Sequence, residues 1–163
     1  MSSFLERRST TISSDLTENV LSVGVQFRED TLDEVESSLE ELERLIQTLG
    51  GQVVGNIIQR RIKPDPSLFI GKGKAEEIGV LLKEKECDLV AFDQELSGTQ
   101  QRNLERILGC RVIDRTGIIL DIFSKHARTK EAKNQVELAT LEYLSTHLTR
   151  KWTHLERQRG GIV

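Results

Sequence analysis

Two apolar segments of strand character bracket a helix that carries its own start signal, and this constrains the fold more than any other feature. In residues 20–27 (VLSVGVQF), Leu21, Val23, Val25 and Phe27 alternate with smaller or polar residues, the period of a β-strand. Thr31-Leu-Asp-Glu34 then has the form of a capping box, in which the threonine hydroxyl takes a first-turn amide and the glutamate reaches back. Leu32, Val35, Leu39, Leu42, Ile46 and Leu49 follow at three- and four-residue steps, with acids between them, up to Gly50-Gly51. That is an amphipathic helix with a glycine stop. Residues 52–58 (QVVGNII) form the next strand. Strand, helix and strand in this order specify a parallel, right-handed βαβ unit.

The pattern continues. Arg60-Arg61-Ile62-Lys63 leads into Pro64-Asp65-Pro66, a loop, and Gly71-Lys72-Gly73-Lys74 opens a helix with Ile78, Leu81 and Leu82 inward. Residues 87–92 (CDLVAF) are a third strand. Ser97-Gly-Thr-Gln100 is a second capping box, starting a helix that runs through Leu104, Ile107 and Leu108 to Gly109. Residues 110–113 (CRVI) are a fourth strand. The expected fold is α/β: a small, mostly parallel sheet of about four strands with flanking helices. Asp114 or Thr116 caps a further helix, whose Ile118, Ile119, Leu120, Ile122 and Phe123 are too continuously apolar for an exposed segment and are expected to pack on the sheet.

After a bend at residues 126–129, with Thr129 as N-cap, comes a long final helix. Its Leu138, Leu141, Ser145, Leu148, Trp152 and Leu155 fall at alternating three- and four-residue spacing, the a/d seam of a two-helix coiled coil. Val136, Ala139 and Tyr143 broaden the first half of the seam. No other segment of the chain offers a partner for it. The expected divisions are a disordered lead-in over 1–18, an α/β domain over 19–127, and over 128–163 a long helix that is half of a hairpin, with the start of its connecting loop.

Net charge is only −3, but it is unevenly spread. Residues 1–55 carry 4 basic and 11 acidic side chains, residues 56–114 carry 10 of each, and residues 115–163 carry 9 and 5. A gradient of this kind points to a local basic surface. Arg115, Lys125, His126, Arg128, Lys130 and Lys133 cluster around the bend, and Arg150, Lys151, His154, Arg157 and Arg159 at the far end. These are the candidates for contact with an RNA phosphate backbone. Gly71, Lys72, Gly73 and Lys74 are candidates for a phosphate or nucleotide, as glycines and lysines at a helix start. The segment matches neither GxxxxGK[ST] nor GxGxxG, however, and a solvated turn accounts for it equally.

No catalytic residue and no metal site is assigned. Asp88, Asp93, Glu95, Asp114 and Asp121 sit mostly at element termini, where carboxylates cap amides. His126, His147 and His154 lack ligand spacing and are read as exposed polar or RNA-contacting groups. Cys87 and Cys110, without any CxxC, are read as small core residues. No apolar run reaches the roughly 18 residues of a membrane span, and the Ser/Thr-rich N-terminus lacks an apolar signal core. The expected location is the cytoplasm.

Three stretches carry a family resemblance: LFIGKGKAEEI, then DLVAFDQELSGTQQRNLERILGCRVIDRTGIILDIFSKHARTKEAKNQVELATLEYL, then LTRKWTHLERQRGGI. Together they closely resemble the N-terminal and middle region of the HflX family of ribosome-associated GTPases. In that family the last segment runs on into RGPGE, a second long helix and the GTPase domain. The P-loop and NKxD motifs of that domain do not occur here. The resemblance implies that this chain is not itself the enzyme and needs no cofactor, while the whole protein uses GTP and Mg²⁺. It implies that the absent helix pairs with the Leu138–Leu155 seam; with that apolar edge exposed, the isolated chain is expected to self-associate or to fray in its final helix. It further implies binding to the large ribosomal subunit and its rRNA, in ribosome splitting or rescue under stress. ATP binding or RNA remodelling through Gly71–Lys74 is the alternative, and a packing module for the GTPase domain without a ligand of its own is the third reading.

Overall fold

The computed structural model describes residues 18–147. Its elements in chain order are β1 (Asn19–Gln26), α1 (Leu32–Thr48), β2 (Gln52–Arg60), α2 (Lys72–Glu84), β3 (Leu89–Phe92), α3 (Gly98–Leu108), β4 (Arg111–Asp114), α4 (Arg115–His126) and α5 (Lys130–His147). The four strands form one parallel sheet in the order β2-β1-β3-β4. The third strand is two residues shorter than expected and the fourth is shifted by one, which leaves Cys87 and Cys110 just before them, while β2 extends two residues further, to Arg60.

The strand order explains the layering. From β1 the chain crosses to β2 in one direction, then returns past β1 to β3 and on to β4. Right-handed crossovers running opposite ways place their helices on opposite faces. Helix α1 accordingly packs Val35, Leu39, Leu42 and Ile46 against Val20, Leu89, Ala91 and Ile113, with Ile118 of α4 beside them. On the other face Ala75, Ile78 and Leu82 of α2 and Leu104 of α3 pack against Leu21, Val23, Val25, Val90, Phe92 and Val112. The central strands are covered on both sides, so β3 reads as a continuous apolar run and the small Ser22 and Gly24 of β1 are buried with their apolar neighbours.

Local signals set the helix ends. Both capping boxes form, Thr31 with Glu34 and Ser97 with Gln100. Asp114, not Thr116, caps α4 by accepting from the Gly117 amide at 2.9 Å. Thr129 accepts from the Ala132 amide at 3.0 Å and starts α5. Helix α3 ends on Gly109, whose φ of 68° is left-handed.

One expectation fails on α4. Ile118 is buried, but Phe123 is 55% exposed. A helix beside a sheet can bury only one stripe, and Phe123 lies off it.

Candidate functional site

At the C-terminal edge of a parallel sheet, a ligand is expected in the crevice where strand order reverses, here between β1 and β3. In this protein the crevice is filled. The Gln94 side chain accepts from the Val25 amide at 3.1 Å and donates to the Val25 carbonyl at 2.6 Å, extending the ladder in place of a strand. Phe69 lies over the same edge, meeting Phe27 and Phe92 edge-on at centroid distances of 6.1 and 6.4 Å. Its φ of 66° is left-handed, a cost of about 1–3 kcal/mol for such a residue that burial of the ring offsets. The loop holding Phe69 is tied down by Asp65, whose carboxylate accepts the Ser67 and Leu68 amides at 2.8 Å each. Gln100 and Asn103 of α3 donate to the carbonyls of Asp65 and Ser67. A nucleotide in the crevice would have to expel Phe69 and Gln94.

The Gly71–Lys74 segment lies at the start of α2, with Gly71 as N-cap and no side-chain cap bond. The Gly71 amide is taken by Gln59 Oε1 at 3.0 Å. Lys74 pairs with Glu77 at 2.9 Å, whereas Lys72 is exposed. Among the described residues no group of three or more His, Cys, Asp or Glu side chains could hold a metal ion.

Arg115 stands apart from the other basic candidates. Its guanidinium donates to Asp93 Oδ1 through Nε (3.0 Å) and Nη2 (2.6 Å), to Glu41 Oε1 at 3.0 Å, and to the carbonyl and hydroxyl of Ser38 at 2.8 and 3.0 Å. It is a clamp joining α4, the end of β3 and α1. Most of its donors are spent inside the protein, so it offers little to an RNA.

Lys125, His126, Arg128, Lys130 and Lys133 are all exposed and converge on the bend between α4 and α5. The exposed ring of Phe123 lies one turn earlier on α4. Below the bend, Ser124, Ala127, Val136, Thr140 and Leu141 line a shallow groove. Arg150, Lys151, His154, Arg157 and Arg159, with Leu148, Trp152 and Leu155 of the seam, lie outside the described residues. So does the lead-in, apart from Glu18.

Helix α5 packs through a face that its apolar period does not single out. Tyr143 and His147 are buried and Val136, Ala139 and Thr140 partly so, while Leu138 and Leu141 are 59% and 57% exposed. Val136, Ala139 and Tyr143 thus do not broaden the seam; they form a second stripe, turned toward α3, α4 and the end of β4. Nor is His147 an exposed polar group.

His147 belongs to a buried polar cluster. Asp114, 1% exposed, accepts from the Leu96 amide (3.0 Å), the Gly117 amide (2.9 Å) and the Tyr143 hydroxyl (2.9 Å). The imidazole lies 3.7 Å from the same carboxylate and stacks on the Tyr143 ring at 3.8 Å. Its Nε2 is 2.8 Å from the Leu96 carbonyl and its Nδ1 2.8 Å from the Tyr143 carbonyl. Nε2–H donates to the Leu96 carbonyl, while Nδ1 faces both the Tyr143 carbonyl and, at 2.9 Å, the Thr146 hydroxyl; protonating Nδ1 adds a donor to the Tyr143 carbonyl and places a cation beside Asp114.

The electrostatics agree with this geometry. Burial alone would lower the His147 pKa, but the Asp114 carboxylate and the two carbonyls outweigh it and hold the pKa above the ordinary value. Burial would raise Asp114, but its bonds from His147, Leu96, Gly117 and Tyr143 hold it below the carboxylate range. Burial and the Asp114 charge push the Tyr143 phenol well up. The Asp121 carboxyl is pushed up by burial to about 6, against Lys125 and Arg111.

Residues 36–124 match the family described as GTP-binding GTPase N-terminal, and residues 126–163 the GTP-binding GTPase middle region. The chain is 49% identical to the GTPase HflX of Escherichia coli over 148 residues, which are 91% of this chain and 34% of that protein. It is 49% identical to GTPase HflX of Alkalihalophilus pseudofirmus over 146 residues, 89% of this chain and 34% of that one. The chain thus spans about a third of the length of these relatives. Among solved structures, a GTP-binding protein from the archaeon Sulfolobus solfataricus in complex with GDP matches with a TM-score of 0.61 at 23% identity. That match covers 86% of this chain and 42% of that one, and it shows the shared fold. With the four-stranded parallel sheet and the family matches together, the chain belongs to the HflX family of GTP-binding proteins and corresponds to their N-terminal and middle regions.

Proposed function

We propose that this region docks an HflX-type GTPase on RNA of the large ribosomal subunit in the cytoplasm, serving ribosome splitting or rescue under stress. The observation that carries this reading is the convergence of Lys125, His126, Arg128, Lys130 and Lys133 on one exposed bend. Four lysine and arginine cations on two helix ends suit a phosphate backbone, and the neighbouring exposed Phe123 suits a base. Arg150, Lys151, His154, Arg157 and Arg159, later in the sequence, are further candidates for phosphate contact. The acidic outer face of α1, with Asp33, Glu34, Glu36, Glu40, Glu41 and Glu43, orients the domain by repulsion from RNA. GTP and Mg²⁺ are bound by another part of the whole protein. The exposed Leu138 and Leu141 support pairing of the seam with a following helix, or self-association of the isolated chain.

The test is binding of the chain to purified large ribosomal subunits across a salt series. Replacing Lys125, Arg128, Lys130 and Lys133 by Gln should flatten the slope of log K against log salt by about 0.7–0.9 for each phosphate no longer neutralised. An unchanged slope and affinity would sink the assignment to this bend.

ATP at Gly71–Lys74 is the second reading, favoured only by the exposed Lys72 at a helix start. An ATP titration against Lys72→Ala/Lys74→Ala decides it. The third reading, a packing module for the GTPase domain, predicts no salt-sensitive ribosome affinity.

A further inference from the structure

Beyond the bend and the Gly71–Lys74 segment, the structure carries another cationic feature. Strand β2 ends on Arg60, which pairs in register with Gln26, the last residue of β1. The Arg61 amide donates to the Gln26 carbonyl at 3.0 Å, and the chain then turns away from the sheet edge. At the tip of this turn Ile62 is 86% exposed, the most exposed large apolar side chain among the described residues. Arg60, Arg61 and Lys63 surround it in sequence.

The turn is built. Arg61 Nε donates to the Lys63 carbonyl at 3.1 Å. One terminal nitrogen of Arg61 lies 2.9 Å from where a Cβ on Gly71 would stand, which sets the guanidinium against the start of α2 and beside the exposed Lys72. Residues 59–75 hold five cations and one acid, Asp65. That acid faces its own loop: the Leu68 and Ser67 amides, more than the Arg61 charge, hold its carboxyl below the ordinary range. Ile62 belongs to neither core cluster, so folding does not account for an aliphatic side chain at this tip.

We propose that the Arg60–Lys63 turn, with Lys72, is a second RNA-contacting surface, in which the cations straddle backbone phosphates and Ile62 packs on an exposed base. Apolar side chains flanked by cations are suited to partly unstacked nucleic acid. An anionic membrane fits less well. A single isoleucine is a weak membrane anchor, and the acidic outer face of α1 lies on the same small domain. The inference rests on the RNA-binding reading above but uses different residues on a different edge of the fold.

The experiment measures binding of the 163-residue chain to purified large ribosomal subunits and to an unstructured RNA oligonucleotide across a salt series. Arg60→Gln/Lys63→Gln, which leaves the buttressing Arg61 intact, should weaken binding about tenfold and flatten the salt slope by about 1.4–1.8, the sum for two phosphates left without a cation. Ile62→Ser should weaken it severalfold with the slope unchanged. All three side chains are exposed, so thermal unfolding should match the unsubstituted chain and exclude misfolding. If both variants bind like the unsubstituted chain, the turn is not a contact and the inference falls, while the reading of the α4–α5 bend stands. If the unsubstituted chain binds neither probe, both fall. Tighter binding to phosphatidylserine vesicles than to either RNA probe would assign the turn to lipid and overturn the inference.

Discussion

Replacing Asp114 by Asn should detach α5 from the sheet and remove a pH dependence that the native protein shows. The carboxylate accepts from two amides and a phenol and lies 3.7 Å from the His147 ring, whose charge it balances once the ring is protonated. An amide oxygen in the Oδ1 position keeps the bonds from Gly117 and Tyr143. The new NH₂ then faces the Leu96 N–H and the imidazolium, donor against donor. Breaking one side of a buried ion pair costs about 3–5 kcal/mol, a third or more of the stability of many domains, which is about 5–15 kcal/mol.

The pH window follows from His147. Its folded pKa is raised, while unfolded histidine titrates near 6.5. Below about 6.5 the histidine is protonated in both states and the contribution is complete. As pH rises through the folded pKa, the folded state holds a proton that the unfolded state has lost, and the contribution drains away. Urea unfolding followed by far-UV circular dichroism at pH 6 and at pH 9 should show native stability falling across this range, and a smaller fall in Asp114→Asn. A double-mutant cycle with His147→Gln should return a coupling above about 1 kcal/mol at pH 6. A cost below about 1 kcal/mol for Asp114→Asn at pH 6, well under that of a broken buried pair, would refute the pairing of Asp114 with a protonated His147. So would a native stability that is flat across the range.

Three further expectations follow from packing. Gly98→Ala places a Cβ 2.5 Å from the Thr146 carbonyl and 2.8 Å from His147 Cα. It should destabilise by about 1–3 kcal/mol, with hydrogen exchange accelerated in α5 before the sheet; uniform exchange would contradict a local latch. Arg115→Lys should not rescue Arg115→Ala, because an ammonium cannot reach Asp93, Glu41 and Ser38 together; equal melting temperatures of Arg115→Lys and the native chain would refute the clamp. Burial pushes the Cys110 thiol up to about 12 and raises Cys87 as well. Both should therefore resist alkylation at pH 8 until urea unfolds the domain, as read by mass spectrometry; rapid labelling of the folded chain would contradict their burial.

What was legible in the sequence was local. The capping boxes at Thr31 and Ser97, the glycine ends at Gly50 and Gly109, and the apolar periods of α1 and of the strands each arise within a few residues. They state their outcome without reference to the rest of the chain. The parallel topology followed because strand–helix–strand connections of this length have one favourable hand.

The long-range pairings were not legible. Arg115 reads as a free cation until the fold brings Asp93, Glu41 and Ser38 to it from 22 to 77 residues away. Gln94 reads as a loop residue until it meets Val25. Helical period alone gave α5 a single apolar seam through Leu138 and Leu141. Only tertiary packing showed that Tyr143 and His147 lie on the buried face, because the decisive partners, Asp114 and the Leu96 carbonyl, come from β4 and the approach to α3. A sequence period records which residues share a face, whereas desolvation and charge balance depend on what the fold sets opposite that face.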